Sequence, residues 1–203
     1  GYLTLAPDFI GYGYSDPQLS TDILEDRYSK PVEVLNLLAS IKSLKQANPD
    51  KIFLWGHSNG GQIALSVLEI SKRQYPTVLW APVSKGFPEA LTDYMHVLDD
   101  QGKKVKAAID QFEKDYEASQ YSITTYLKSI NSPLQIHQGT GDDLVDVSWS
   151  DEFVAQLKSL GKNVTYFTYP GADHNLSGGK AEVSGSDSWQ TAAVRSLDFF
   201  NKN

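Results

Sequence analysis

The stretch that decides the fold is Lys51-Ile52-Phe53-Leu54-Trp55-Gly56-His57-Ser58-Asn59-Gly60-Gly61, continued by the run Gln62 to Ile70. Ile52 to Trp55 are four apolar residues behind an Asn-Pro-Asp turn, the pattern of a strand buried on both faces. Beyond Gln62 the period lengthens, and Ile63, Ala64, Val67, Leu68 and Ile70 share one helical face. Strand gives way to helix within a few residues, with Gly56-x-Ser58-x-Gly60 at the corner. So sharp a turn predicts no room for Cβ atoms at its glycines and strained backbone at the serine. The hydroxyl is then presented at the carboxyl end of the strand, beside helix amides that favour a developing negative charge. This is the pattern of a nucleophile elbow. The same residues also fit a plainer loop in which Ser58 only caps the helix.

Upstream, Tyr2 to Asp8 reads as a strand, and the glycine- and aromatic-rich Phe9 to Pro17 as a loop. Tyr12 and Tyr14 in that loop are candidate pocket residues, and equally candidates for packing the loop onto the domain. Ser29 is placed to cap a helix with Pro31 in its first turn and a stripe of Val34, Leu37, Leu38, Ile41 and Leu44. Downstream, Thr77 to Pro82 reads as the next strand. Residues 84–131 are more charged, with helical periods at Leu91–Leu98 and from Val105 to Tyr116. Lying between two core strands, this segment is expected to be a helical cap over the carboxyl edge of the sheet, or else a peripheral helical pair without a gating role. Phe87, Met95, Tyr116 and Tyr121 are expected to hold it to the core, or to wall the pocket. Pro133 to His137 is another buried strand, and a helix over Asp151–Leu160 should bury Phe153, Leu157 and Leu160, with Gly161 as its stop. Val164 to Tyr169 is the last strand. After a polar stretch from Ser177 to Ser188, a closing helix should bury Trp189, Ala192, Ala193, Leu197 and Phe200.

The 203 residues, 40% hydrophobic and 21% charged, suit one domain with a full core. Alternating strands and helices predict an α/β fold, a mostly parallel sheet with helices on both faces. A net charge of −7 and a pI near 5.0 argue against nucleic acid or an anionic membrane as partner. No run reaches membrane-spanning length, no signal peptide is recognisable, and the compartment stays open. The absence of cysteine excludes disulfides, thiol catalysis and thiolate metal sites.

Ligands of open parallel sheets bind outside the carboxyl ends of the strands. Three such ends carry, in chain order, Ser58, the pair Asp142 and Asp143, and His174. A serine hydroxyl becomes a good nucleophile when an imidazole takes its proton, and the imidazole needs a carboxylate on its other nitrogen. The order Ser, Asp, His, each after a strand, is the order of the hydrolases that carry this elbow. His137, inside a strand, and His96, in the cap, have no second ligand at metal spacing.

Gly-His-Ser-Asn-Gly-Gly, Ala-Pro-Asp-Phe-Ile-Gly-Tyr-Gly-Tyr-Ser, His-Gln-Gly-Thr-Gly-Asp-Asp-Leu-Val and Tyr-Pro-Gly-Ala-Asp-His together resemble the α/β-hydrolase superfamily, in its prolyl-oligopeptidase and dienelactone-hydrolase-like branch. The resemblance spans nearly the whole chain. It implies Asp142 as the acid, with Asp143 the second choice, and the Asn59 amide as one oxyanion donor. His57, between glycine and serine, is expected to pack or hydrogen-bond locally and is the third candidate pocket residue. The resemblance also implies about three strands ahead of Tyr2, one of them central, and a second oxyanion donor after it. The chain is therefore expected to be N-terminally truncated relative to that fold. Either another polypeptide completes it, or the first stretch pairs directly with the serine strand. An open edge would favour association, as a homo-oligomer or with a complementing N-terminal fragment.

These readings predict a serine hydrolase that takes a small ester through an acyl-enzyme, with Ser58 as nucleophile and His174 as base, and with no cofactor or metal. Two alternatives stand beside it: a peptidase of the prolyl-oligopeptidase type, and a catalytically silent module that binds a ligand. Against the peptidase, no β-propeller-like region is present, and asparagine follows the serine where those peptidases often carry tyrosine.

Overall fold

Four parallel strands in the order β1-β2-β3-β4 carry the fold: β1 (Leu54–His57), β2 (Thr77–Trp80), β3 (Leu134–Gly139) and β4 (Val164–Tyr169). They are seen in a computed structural model that describes residues 1–18, 20–95, 98–179 and 187–203. The helices are α1 (Ile23–Ser40), α2 (Asn59–Ser71), α3 (Glu89–Thr92), α4 (Lys103–Phe112), α5 (Val147–Ser159) and α6 (Ser188–Lys202).

The pleat divides the strand side chains between two cores. Leu79 of β2 and Leu134 and Ile136 of β3 meet Leu65 and Leu68 of α2 and Phe153 and Leu157 of α5 on one face. Val78, Trp80 and Tyr169 meet Ala192 of α6 on the other. All four residues of β2 and all six of β3 are buried, as strands covered on both faces require. The expected α/β architecture is therefore present, a parallel sheet with helices on both sides. Among the described residues no helix is long and apolar enough to cross a membrane.

The N-terminal part departs from expectation. Residues 1–9 form no strand, and the first stretch does not pair with the serine strand. Tyr2 instead turns its ring onto Phe53 and Phe200 and donates its hydroxyl to Asn201 Oδ1 at 2.7 Å. β1 is consequently an edge strand, with Trp55 54% exposed, not a strand buried on both faces. A β-prone sequence without a neighbour to complete its ladder has nowhere to place its amides except in water.

Helix α1 is capped seven residues before the expected position. Asp22, not Ser29, closes its N-terminus, accepting from Leu24 N at 2.8 Å and Glu25 N at 3.4 Å. Pro31 lies inside the helix, where it cannot donate to the Arg27 carbonyl one turn back. Helix α5 likewise starts earlier, capped by Asp146, and leaves Leu160 beyond its end and exposed. In α6 the buried face is Ser188, Thr191, Ala192 and Ser196, so Trp189 and Leu197 are exposed, not buried. Small residues let that helix lie close over the sheet, and the large ones are left to the rim.

The segment between β2 and β3 holds α3, α4 and the 3-10 turns Ala118–Tyr121 and Leu127–Ser129. Phe87, Leu91, Met95, Ile109, Phe112 and Tyr121 cluster on Leu24 and Tyr28 of α1, which fastens the segment to that helix. Of the helical period expected at Leu91–Leu98, α3 covers the first two residues, and Met95 is in 3-10 conformation. His96, and most of the polar stretch before α6, lie outside the described residues.

Candidate functional site

Ser58 sits between the last residue of β1 and the first of α2, with φ 55° and ψ −121°. A left-handed backbone at a serine is strained, and its neighbours hold it there: Ser58 N donates to Trp80 O at 3.0 Å, and Ser58 O accepts from Gly61 N and Val83 N at 3.0 Å each. The crowding differs from the pattern expected at the corner. A Cβ on Gly56 would lie 2.4 Å from the Gly60 carbonyl oxygen, and one on Gly61 would lie 2.7 Å from Pro82 Cβ. Gly60 has open space at its Cβ position, so Gly56 and Gly61 are the residues with no room. Ser58 makes no side-chain capping bond to α2, which removes the plainer reading of it as a helix cap. Asn59, the first residue of α2, brings its amide beside Ser58 at the positive end of the helix.

The second and third loops meet behind it. His174 Nδ1 donates to Asp142 Oδ2 at 2.9 Å. Asp142 is buried, and its Oδ1 accepts from the amides of Leu144 and Val145 at 2.9 Å each. Gln138 Nε2 supplies the fourth bond, to Oδ2 at 2.8 Å. Burial pushes the carboxyl upward, but the bonds from His174, Val145 and Leu144 outweigh it and hold Asp142 below the usual carboxylate range. Asp143 is exposed and makes no bond to His174. Of the two adjacent aspartates, only Asp142 reaches the imidazole.

Ser58, Asn59 and His174 line one cavity of about 280 Å³, together with Arg27, Val83, Ala90, Leu91, Tyr94 and Leu144. The hydroxyl and the imidazole therefore face a common space, although no hydrogen bond joins them. Helix α3 and Tyr94 give the segment after β2 one wall of that space. Burial pushes the Tyr94 phenol up to about 12, with the nearby Asp142 carboxylate adding to the effect.

The other candidates lie elsewhere. Tyr14 is fully exposed and Tyr12 half-exposed under Lys30, so neither lines the cavity. Without a strand at residues 1–9 to anchor it, their loop stays at the surface. His57 is not a pocket residue either, nor are its contacts local. Its Nε2 donates to the His174 carbonyl at 3.0 Å and its ring lies 4.7 Å from the His174 ring, so it fixes the loop that presents the imidazole. His137 is fully buried against Tyr169 and Gln135, and burial pushes its imidazole down to about 3. Phe87, Met95, Tyr116 and Tyr121 do not line the cavity; Phe87, Met95 and Tyr121 pack the segment onto α1, and Tyr116 packs on Phe112 and Tyr121.

Three residues of the site escape a reading of motifs. Gln138 is fully buried at the end of β3, where it bridges Asp142, the Val145 carbonyl and Ser150. Nothing in the sequence marks it, since β3 also carries Gln135 and His137. Arg27 stands on α1 and Tyr94 in the turn that follows α3, and nothing in their spacing marks them.

The fold that carries these residues is shared with known proteins. Among solved structures, a Mycobacterium tuberculosis puromycin-hydrolyzing peptidase is similar at 18% identity and TM-score 0.63, over 85% of this chain and 25% of that one. Dipeptidyl peptidase 4 of Porphyromonas gingivalis is similar at 17% identity and TM-score 0.65, over 86% of this chain and 22% of that one. Est1E of Butyrivibrio proteoclasticus, solved with ferulic acid bound, is similar at 18% identity and TM-score 0.57, over 82% of this chain and 67% of that one. The chain thus spans about a quarter of the length of the two peptidases. Comparison with curated proteins finds no significant match. The family model described as the prolyl oligopeptidase family matches residues 19–202, and the chain belongs to that family.

Proposed function

We propose that this chain is a serine hydrolase that cleaves carboxylic esters through an acyl-enzyme. The observation that carries the reading is the His174 Nδ1 bond to buried Asp142, beside a cavity that His174 shares with Ser58. In the proposed cycle, Ser58 Oγ attacks the ester carbonyl carbon while His174 Nε2 takes the hydroxyl proton. The carbonyl electrons move to oxygen, where the Asn59 amide and the N-terminus of α2 meet the charge. Collapse breaks the ester bond, and His174 returns the proton to the departing alcohol. Water, deprotonated by His174, then releases the acid and restores Ser58. Asp142 holds the imidazole in the tautomer that leaves Nε2 free to accept.

A second reading is peptide cleavage through the same acyl-enzyme. The family's description and the peptidases among the similar structures favour it. A fluorophosphonate probe tests both readings together. Covalent label on Ser58, absent from Ser58→Ala, is expected, and no label would leave a silent binding module. Turnover of p-nitrophenyl butyrate above that of a prolyl p-nitroanilide is expected; turnover of the anilide alone would make the chain a peptidase.

A further inference from the structure

One cation on the cavity wall has no counter-charge. Arg27 stands three residues after Leu24 on α1, on the side that packs toward the segment after β2, and its guanidinium lines the cavity beside Ser58. A guanidinium carries five N–H donors. Arg27 uses one of them, from Nη1 to Asn59 Oδ1, at a long 3.4 Å. Its Nε is buried and has no partner. Among the described residues no carboxylate pairs with it, although Asp26 on the same helix turn is taken by Lys30. The other neighbours of the charge are the phenols of Tyr28 and Tyr94. Burial lowers the pKa of the guanidinium, yet arginine stays charged at any working pH. The guanidinium is partly withdrawn from water, and a buried donor on a charged group left without a partner is costly. Val83, Ala90, Leu91 and Leu144 on the wall are apolar and offer it no side-chain acceptor.

We infer that Arg27 determines specificity at this site, by receiving a free carboxylate carried on the substrate. A carboxylate presents two oxygens to the fork of the guanidinium and neutralises it in the space that the nucleophile faces. Arg27 reaches Asn59, the residue next to Ser58, in the cavity that both line, so the carboxylate lies a short chain away from the scissile carbonyl. The substrate class is then a half-ester of a short dicarboxylic acid, or an acyl compound of similar reach. The inference rests on the hydrolase reading for its chemistry, but the binding it describes does not need turnover.

The test pairs monoethyl glutarate with ethyl valerate, each followed in a pH-stat, with the wild-type chain and with Arg27→Met and Arg27→Lys. The wild type is expected to favour the acid-bearing ester. Arg27→Met should lower the ratio of the two kcat/KM values roughly 10- to 100-fold, the range for a hydrogen-bonded charge pair. Arg27→Lys, which keeps the charge and loses the fork, should fall between them, and it carries the test if the methionine variant does not fold. Calorimetric titration with glutarate supplies a readout free of catalysis, with binding expected in wild type and lost in Arg27→Met. Glutarate binding that needs Arg27, with neither ester cleaved, would keep this inference and remove the hydrolase reading. Ester turnover with the same preference in all three proteins, or glutarate binding that is absent or indifferent to Arg27, would overturn it.

Discussion

Replacing Asp142 by asparagine probes the site where its hydrogen bonds are most fully committed. Oδ1 accepts from Leu144 N and Val145 N, and Oδ2 from Gln138 Nε2 and His174 Nδ1, all within 2.8 to 2.9 Å. The side chain is 0% exposed, so water cannot replace any of the four donors. Asparagine keeps one acceptor oxygen. If that oxygen stays with the two backbone amides, the new NH2 group faces two groups that already donate. Gln138 cannot turn its amide without losing the bond from Ser150 Oγ at 2.8 Å and its own bond to the Val145 carbonyl at 3.1 Å. His174 is the partner free to change, by moving its proton to Nε2 and accepting through Nδ1. An imidazole in that tautomer has no lone pair left for the Ser58 proton. The expected loss is about ten-thousandfold in kcat, the size seen for such a tautomer change in a serine protease triad, or about 5.5 kcal/mol of barrier. Any donor left unpaired adds about 1–3 kcal/mol of destabilisation. Steady-state hydrolysis of p-nitrophenyl butyrate and urea unfolding measure the two effects. Asp143→Asn, at an exposed side chain, should change kcat by less than tenfold. A larger loss in Asp143→Asn than in Asp142→Asn would refute the assignment.

Two further predictions concern stability. At the corner, Gly60→Ala should be tolerated or add up to about 1 kcal/mol, because its Cβ meets open space in a helix. Gly61→Ala, whose Cβ would meet Pro82 at 2.7 Å, should cost about 1–3 kcal/mol; equal midpoints in urea would contradict this account of the turn. Glu69 is buried with Oε1 unpartnered, and burial pushes its carboxyl from 4.5 up to about 9. The folded chain thus holds a proton that the unfolded chain releases. That contribution to stability is complete below pH 4.5 and is lost as the pH rises toward about 9. Glu69→Gln should flatten the profile and gain up to about 3 kcal/mol at pH 7. Parallel wild-type and variant stabilities between pH 5 and 9 would count against it.

The sequence by itself determined the parts whose physics is local. Val164–Tyr169 is a strand with the bounds that its apolar run predicts, and the corner at Ser58 lies where the period changes from strand to helix. Alternation of such segments was enough for a parallel sheet with helices on both faces, because each strand direction forces a crossover. What needed a distant neighbour was not legible. Tyr2 to Asp8 has the composition of a strand, yet a strand exists only where another completes its ladder. Asp22 and Ser29 both suit a helix cap, and packing of Leu24 and Tyr28 against the segment after β2 carries the helix back to the earlier one. The site divides in the same way. Ser58, Asp142 and His174 were readable as chemistry-bearing residues at strand ends, but which of the two adjacent aspartates hydrogen-bonds His174 was decided by the tertiary structure. Arg27, Tyr94, Gln138 and the hold of His57 on the His174 loop belong to the tertiary structure alone. Their partners lie on other elements, and a contact between side chains far apart in the chain leaves no periodic trace in either segment.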